Sequence, residues 1–539
     1  MALRKQKVLR WFPGGLCDGY DSTFTFEGSC TALSNLIFDQ ANPEAVVSRP
    51  GVGTAFTTFS GFTAPGFVSL HVAVGNMLYG WIASGRTTGF DEPFAYNTVT
   101  GLFITLTGVT AANVPTSPPS TGAWTPPTAT VVGTYLILTH PGFSGTGTNF
   151  FGVINLSTNA YSSSNTATSP LPGVPTAVAN FNNRAYFVVG AVVYYSDSLN
   201  PLSRTSTGQS VTVGDVSGIS ALSGLPVTTS TAGVIPALIV FKTGQVWQLT
   251  GDPALTSNPL SLTYLSLSQG TSAPRSVCQT TRGTFFIGTD GPMIIDALGN
   301  VRALTFYESQ TSDVRVPFLN VTIPSRVEGE YAANIYRVCV PTTLNGNQVT
   351  NDYWFDVNRG RWTGPHTFAY DCASSLGSTF VLSSVNAPGK LFYSTPNPTT
   401  TSVYNDNGTA LMVAIQSSAF PMAGDMQEYA VMETVVELAS GGAQVQYTVA
   451  FSDTYNNTLA TANITTAQQG LVWGGGTVWG GAGATWATSL KIPNDFTAPW
   501  AAPVVSDKFI FRASALSSSA LLLGVLQCRA QPIGYTLRS

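Results

Sequence analysis

Side chains that could do acid–base or nucleophilic chemistry are few in this sequence. It has three histidines, His71, His140 and His366, and none of them stands near a serine or cysteine motif. No stretch has the form of a G-x-S-x-G nucleophile turn, a phosphate-binding P-loop or an H-E-x-x-H zinc site. His140 begins a His-Pro-Gly triplet after an apolar run, which is more typical of a turn than of a catalytic base. We therefore predict no catalytic residue and no enzymatic activity.

One segment does gather acids, and two carboxylates that flank a sugar are the machinery of a glycoside hydrolase. The acids of this segment are Glu308, Asp313, Glu328 and Glu330, and its arginines are Arg315 and Arg326. The repeated Asp-box pattern of sialidase-like propellers is missing, and ion pairs in a connecting segment account for the same residues. We favour the polar connection and keep hydrolysis as the weaker alternative.

The cysteines point neither to a metal site nor to a disulfide scaffold. They are scattered without any C-x-x-C pair, so the usual zinc spacing is absent. Their positions are Cys17, Cys30, Cys278, Cys339, Cys372 and Cys528. The start of the chain does not read as a signal peptide, and the apolar run Ala520–Leu526 is far shorter than the ~20 residues of a membrane helix. We predict a chain made in the cytoplasm with reduced thiols, no cofactor and no membrane span.

The composition favours β-structure and association with other subunits. Charged residues make up 9% of the 539 residues, against about 25% in typical soluble domains. Gly, Pro, Ser and Thr replace the charges and favour turns and strands over helices. So little charge limits solubility, which indicates a surface buried in an assembly. A net charge of −4 argues against tight binding of nucleic acid, and the basic stretch Arg4–Arg10 is more typical of a solvated or interface-bound arm.

A pattern of strand, short turn and strand recurs along most of the chain. Successive copies are roughly 40–60 residues apart, which is the period of propeller blades. The copies are Leu70–Trp81, Gly133–Leu156, Arg184–Leu202, Pro236–Pro253, Gly283–Leu304, Tyr336–Trp362 and Ser378–Thr395. Their strands are nearly continuous apolar runs, as expected where both faces of each hairpin are covered by neighbours. The sequence therefore predicts an all-β fold with a β-propeller of six or seven blades over residues 70–404, after an N-terminal arm and platform segment over residues 1–69.

After residue 405 the rhythm changes to longer strands. In Gln444–Val449, Val445, Tyr447 and Val449 alternate with polar residues, as in a strand with one buried face. We predict a C-terminal β-sandwich, or platform, over residues 405–539. A Trp/Gly-rich loop at residues 470–490 carries Trp473, Trp479 and Trp486. These indoles either cover the sheet or contact a partner subunit.

Four stretches together resemble the tail nozzle family (tail tubular protein B, or hub) of short-tailed bacteriophages. The first runs from Phe12–Leu16 into Leu33–Val52 and ends on Arg-Pro-Gly before the first blade. The others are the Gly-Asp-Pro blade Ser223–Pro253, the Trp-Gly repeats Val472–Trp486 and the closing strands Leu521–Arg538. Each stretch is short, and together they span much of the chain.

The resemblance implies a structural virion protein that forms a hexameric ring at the distal end of the tail. Such a ring sits below the adaptor, carries fibres or tailspikes and a distal needle or plug, and conducts double-stranded DNA without specific binding. It also implies that Leu33–Val52 enters the propeller and that its flanks join the C-terminal sandwich in a platform. Candidate gate or interface loops are Ala111–Thr130, with Trp124, and the Trp-Gly loop.

Two other classes of function remain open from the sequence. A receptor- or glycan-binding propeller would repeat an aromatic residue at one position of each blade, whereas the tryptophans here cluster in the last third of the chain. A propeller glycoside hydrolase would need paired acids in the mouth of the propeller.

Overall fold

The computed structural model describes residues 5–9, 15–18, 28–40, 45–59, 66–83, 89–117, 122–229, 233–257, 259–304, 314–344, 347–399, 402–422, 427–440, 444–466 and 494–535. Over these ranges the chain is almost entirely β-structure. The described part has one four-residue α-helix, Val316–Leu319, and two 3-10 turns, Pro274–Ser276 and Pro324–Arg326. Within the same ranges no helix has the length and apolar character needed to span a bilayer. The prediction of an all-β fold is confirmed.

Six four-stranded antiparallel sheets, and four antiparallel strands of a larger sheet, follow one another along the chain as the seven blades of a β-propeller. Blade 1 is Val68–Val74, Met77–Ala83, Asp91–Asn97 and Leu102–Ile104; blade 2 is Ala129–Val132, Tyr135–Leu138, Phe151–Asn155 and Ala160–Ser164. Blade 3 is Ala177–Phe181, Arg184–Val189, Val192–Tyr195 and Ser210–Thr212; blade 4 is Ile219–Thr229, Gly233–Lys242, Val246–Thr250 and Ser261–Ser266. Blade 5 is Cys278–Thr280, Gly283–Gly288, Gly291–Asp296 and Val301–Ala303; blade 6 is Glu328–Ala332, Ile335–Leu344, Asn347–Asp356 and Arg361–His366. A short parallel pair, Ala167–Thr168 with Ser203–Arg204, flanks blade 3.

The seventh blade takes its outer strand from the beginning of the chain. Its first three strands are Cys372–Leu376, Thr379–Ser383 and Lys390–Ser394. The fourth is Thr57–Thr58, paired with Leu391 and Lys390. The first strand of this blade also contacts the first strand of blade 1. The ring is therefore closed by a strand from the N-terminal segment, and the blade number is seven.

Apolar clusters fill the seven interfaces between blades, and the cluster between blades 5 and 6 is continuous with the core of the sandwich. Aromatic rings meet at several of them: Phe151 and Phe187 lie 4.9 Å apart between blades 2 and 3. Phe241 and Phe286 lie 5.1 Å apart between blades 4 and 5. Each blade thus buries both faces, which explains the nearly continuous apolar runs in the sequence.

The β-sandwich is assembled from both ends of the chain. Sheet one contains Lys5–Leu9, Leu36–Phe38, Val46–Ser48, Gln427–Ser440, Asn494–Thr497, Val504–Ser506 and Leu521–Tyr535. Sheet two contains Gly15–Leu16, Ser29–Ser34, Asn405–Asp406, Thr409–Ser417, Phe420–Pro421, Gln446–Ser452, Thr458–Thr465 and Lys508–Ser517. Sheet two continues into blade 6 where Leu33 pairs with Gly364. The two domains are therefore joined by strand pairing as well as by packing.

The stretch Leu33–Val52 lies mostly in the sandwich. We expected it to enter the propeller and only its flanks to form the platform. Instead, Ser29–Ser34 lies in sheet two, and Leu36–Phe38 and Val46–Ser48 lie in sheet one. The chain first contributes to the propeller at Thr57–Thr58. Val46 and Val47 pair with Leu523 and Leu522 of the last long strand, and that partnership is what holds this stretch in the sandwich.

Candidate functional sites at the clamp and at the centre of the propeller

A buried arginine fastens the N-terminal segment to the start of the C-terminal part of the sandwich. Arg49 is completely buried. Its Nη1 donates to Asp406 Oδ1 at 3.1 Å, its Nη2 is paired with Asp406 Oδ2, and its Nε donates to Asn35 Oδ1 at 3.0 Å. A buried guanidinium needs such a partner, because an unpaired buried charge is strongly destabilising. We call Asn35, Arg49, Gly51 and Asp406 the clamp.

Asn35 extends the clamp to the propeller. Its Nδ2 donates to the Met412 carbonyl at 2.8 Å and to Thr367 Oγ1 at 3.1 Å, and the Thr367 backbone N–H donates to Asn35 Oδ1 at 3.1 Å. Thr367 follows the last strand of blade 6. Asn35 has φ of 53°, a left-handed conformation that asparagine tolerates better than most residues. One side chain therefore bonds the sandwich, Arg49 and the propeller.

The glycine of Arg-Pro-Gly is required by close backbone packing. The Gly51 N–H donates to the Val403 carbonyl at 2.7 Å, and the Gly53 N–H donates to the Asn405 carbonyl at 2.9 Å. A Cβ on Gly51 would lie 2.1 Å from the Asn405 carbonyl oxygen. The sequence singled out this triplet without indicating its partner, because Asp406 is 357 residues away from Arg49.

Trp124 lies across the centre of the propeller. It belongs to the connection between blades 1 and 2, and its indole Nε1 and backbone N–H donate to the Ser325 carbonyl and Oγ at 3.0 and 3.1 Å. Ser325 is in the connection between blades 5 and 6, nearly opposite on the ring. The Arg326 guanidinium lies 4.8 Å and the Arg275 guanidinium 5.8 Å from the centre of the indole. Phe67 meets the same indole edge-on at 5.4 Å.

Beneath Trp124, the inner strands of blades 1, 6 and 7 hold a buried polar group. Arg275 Nε is paired with Glu328 Oε2 at 2.5 Å, and Arg275 Nη1 donates to the Ser69 carbonyl at 3.1 Å. The Ala373 N–H donates to Glu328 Oε1 at 2.9 Å. Both carboxylate oxygens of Glu328 are thus engaged within the fold. Together with Trp124, Phe67, Arg326, His71 and Glu330, these residues form what we call the central cluster.

Burial sets the protonation of the two remaining titratable groups of the central cluster. His71 Nδ1 lies 2.8 Å from Ser374 Oγ and Nε2 lies 3.2 Å from the Cys372 carbonyl, so Nε2 carries the proton and donates. Burial lowers the pKa of His71 to about 4, which keeps the imidazole neutral near pH 7. Burial raises the pKa of Glu330 to about 7. Burial likewise raises the pKa of Glu328, and the neighbouring Arg275 acts against this shift.

Among the described residues, the acids considered for glycoside hydrolysis offer no open carboxylate pair. Glu308 and Asp313 lie outside the described residues. Glu328 is buried and paired with Arg275, so its carboxylate does not face solvent. Arg326 stacks on Trp124, and the Arg315 backbone N–H donates to Asp18 Oδ1 at 2.7 Å. These contacts are those of a packed connection between blades.

A serine, an aspartate and a histidine do meet between blades 1 and 2, which sequence reasoning missed. Ser69 Oγ donates to Asp91 Oδ2 at 2.7 Å, and His140 Nε2 lies 3.1 Å from the same oxygen. The Gly142 N–H donates to His140 Nδ1 at 3.0 Å. Serine and histidine therefore share the aspartate instead of contacting each other, and all three are buried. This arrangement locks two blades together and cannot activate a nucleophile.

The other residues singled out in the sequence divide into two groups. Trp473, Trp479 and Trp486 of the Trp-Gly loop lie outside the described residues. None of the six cysteines, all of which lie in the described ranges, is in a disulfide, and five are buried while Cys278 is partly buried. Over the described ranges, no group of three or more metal-binding side chains comes together.

Comparison with known proteins gives likenesses to solved structures alone. No family model matches the chain, and no curated protein matches it. The WD40 β-propeller domain of Doa1 is similar at 8% identity and a TM-score of 0.34, over 63% of this chain and 96% of that one. An extracellular domain from B. thetaiotaomicron is similar at 12% identity and a TM-score of 0.32, over 79% of this chain. The chain spans 43% of the length of that second structure, and neither likeness bears on function.

Proposed function

We propose that the chain is a structural subunit of a short phage tail. Copies would form a ring that needs no cofactor and continues the DNA channel below the adaptor. The resemblance to the nozzle family implies six copies in this ring. The ring closes this channel before infection and conducts the genome during ejection. It would be assembled in the host cytoplasm and reside in the virion tail, next to adaptor proteins, fibres or tailspikes, and a needle or plug.

One observation carries this proposal. The stretches by which the sequence resembles the nozzle family lie at opposite ends of the chain, in Leu33–Val52 and Leu521–Arg538. In the fold their strands pair, Val46 with Leu523 and Val47 with Leu522, and Arg49 clamps the first stretch to Asp406. The resemblance therefore rests on residues that build one platform, as a subunit with a platform and a propeller requires.

The chemistry of the described residues supports a structural role over an enzymatic one. The histidines, Glu328 and Asp91 are buried and bonded to other groups of the fold. A catalytic acid or base must instead reach a bound substrate within hydrogen-bonding distance. A surface with little charge also suits a conduit through which DNA passes, since strong binding of phosphates requires clustered Lys and Arg.

The proposal is tested by the mass of the purified protein in solution and by negative-stain imaging, alone and mixed with the adaptor of the same tail. We expect a ring with a central bore, or a monomer of 56.6 kDa that becomes a ring on the adaptor. Glycan binding and hydrolysis are assayed in parallel on host-surface polysaccharide. A stable monomer that does not bind the adaptor but binds the polysaccharide would contradict the nozzle proposal and favour a receptor-binding protein.

A further inference from the structure

The two outer faces of the sandwich differ in charge. Sheet two presents a face, which we call the flat face, on the paired strands Thr409–Ser417, Lys508–Ser517, Gln446–Ser452 and Thr458–Thr465. Along these strands Leu411, Val413 and Ile415 point into the core. The alternate residues of the central part point outward, and they are small or uncharged apart from Arg512.

The flat face carries an apolar pair and one charge. Met412 and Leu516 are direct cross-strand partners and are 51% and 58% exposed. Arg512 lies four residues from Leu516, about 13 Å along the strand. Its Nε donates to Gln416 Oε1 at 3.1 Å and its Nη2 to Asn456 Oδ1 at 2.8 Å. Two neutral acceptors thus hold the guanidinium in place without neutralising its charge.

The outer face of sheet one packs on the propeller at one end, through Val47, Ala439 and Leu522, and its remaining part, which we call the acidic face, carries negative charge. Glu437 and Asp495 are direct cross-strand partners, so two negative charges stand opposite each other. Among the described residues neither is in an ion pair. Like charges in this position destabilise a sheet unless a cation lies nearby. The same face exposes the apolar side chains of Met432, Val505 and Ile533.

We propose that the flat face of one copy docks on the acidic face of a second copy, Arg512 meeting Glu437 and Asp495. This inference rests on the proposed function, which requires copies to form a ring. Packing of two flat faces on each other would bring like charges together, whereas contact between different faces pairs opposite charges. An interface between different faces propagates head to tail and closes into a ring when the rotation fits. The apolar side chains on each face, Met412 with Leu516 and Met432 with Val505, supply area that leaves water.

A charge reversal and its rescue test the inference on the full-length chain. Arg512→Glu is expected to weaken association at least tenfold, measured by light scattering over a concentration series. Asp495→Arg is expected to do the same. The double variant Arg512→Glu, Asp495→Arg is expected to restore assembly in part, because the pair at positions 512 and 495 is re-formed with its signs exchanged while Glu437 stays negative. Arg282→Glu, in an exposed turn of blade 5, is the matched control and leaves the mass unchanged.

The outcomes separate this inference from the proposed function. Assembly of Arg512→Glu with wild-type mass, or failure of the double variant to recover, overturns the docking surface and leaves the ring in place. A lower Tm of Arg512→Glu with an unchanged mass also overturns the docking surface, because Arg512 would then stabilise its own chain and not the contact between copies. A wild-type chain that never assembles, even on the adaptor, removes the proposed function together with this inference.

Discussion

The clamp and the central cluster both bury arginines, but they connect different parts of the fold. The clamp joins groups 357 residues apart and contains one arginine neutralised by one carboxylate, Asp406. The central cluster joins inner strands and connections of several blades. Its two arginines, Arg275 and Arg326, place their guanidinium groups against the Trp124 ring. The clamp therefore fixes the sandwich to the propeller, whereas the central cluster fixes blades within the ring.

The largest effect is expected when the arginine of the clamp is removed, because the clamp joins the sandwich to the propeller. Arg49→Met leaves Asp406 with no cation and is expected to lower the free energy of unfolding by about 3–5 kcal/mol, as for other broken buried pairs. Because the propeller keeps its own interfaces, calorimetry should show the sandwich unfolding before the propeller. The control is Arg49→Met with Asp406→Leu, which removes both charges and recovers part of the loss. A single cooperative transition with unchanged Tm for Arg49→Met would contradict the assigned role of the clamp.

The central cluster contains two groups whose pKa values are shifted in opposite directions, Glu330 upward and His71 downward. The pKa of Glu330 is about 7 in the folded chain and 4.5 in its ordinary environment. Between these values the folded state holds more protons than the unfolded state, so this group's contribution to stability is present below pH 4.5 and is lost as pH rises towards 7. His71 has the opposite slope, because its lowered pKa costs stability as pH falls from 6.5 towards 4.

The contribution of Glu330 is isolated by Glu330→Gln, in which His71 is retained. The stability of this variant relative to wild type should increase from pH 4.5 to pH 7 by up to about 3 kcal/mol. Urea unfolding at a series of pH values measures the difference. If the difference in unfolding free energy between Glu330→Gln and wild type does not change with pH, the pKa of Glu330 is not raised by folding and this prediction is wrong.

The blades could be predicted from the sequence because their signals are local. Each of the seven apolar hairpins noted in the sequence lies in a different blade, and Asp290-Gly291 stands at the turn before Gly291–Asp296. The number of blades stayed open between six and seven because closure depends on Thr57–Thr58. A two-residue strand has no periodicity, and its partners Leu391 and Lys390 are more than 300 residues away.

The clamp and the central cluster could be predicted only in part. Arg-Pro-Gly and Trp124 were singled out by residue type, but no local pattern indicates Asp406, Ser325 or Arg275 as their partners. Such partners are brought together by ring closure and by the pairing of Val46 and Val47 with the last strand. The same reason explains why the Ser69, Asp91 and His140 group was missed, since its members come from two blades.

The smallest effect is expected at Trp124, which is only partly buried. Trp124→Ala removes two cation–π contacts and the indole hydrogen bond to Ser325, and should cost about 1–2 kcal/mol. The loss should stay local: hydrogen exchange is expected to rise in Pro324–Arg326 and in the strand Val68–Val74, while the sandwich keeps its protection. Trp124→Phe is the matched control, because it retains a ring between the arginines and loses only the hydrogen bond. Faster exchange throughout the sandwich of Trp124→Ala would mean that the central cluster, like the clamp, holds the two domains together.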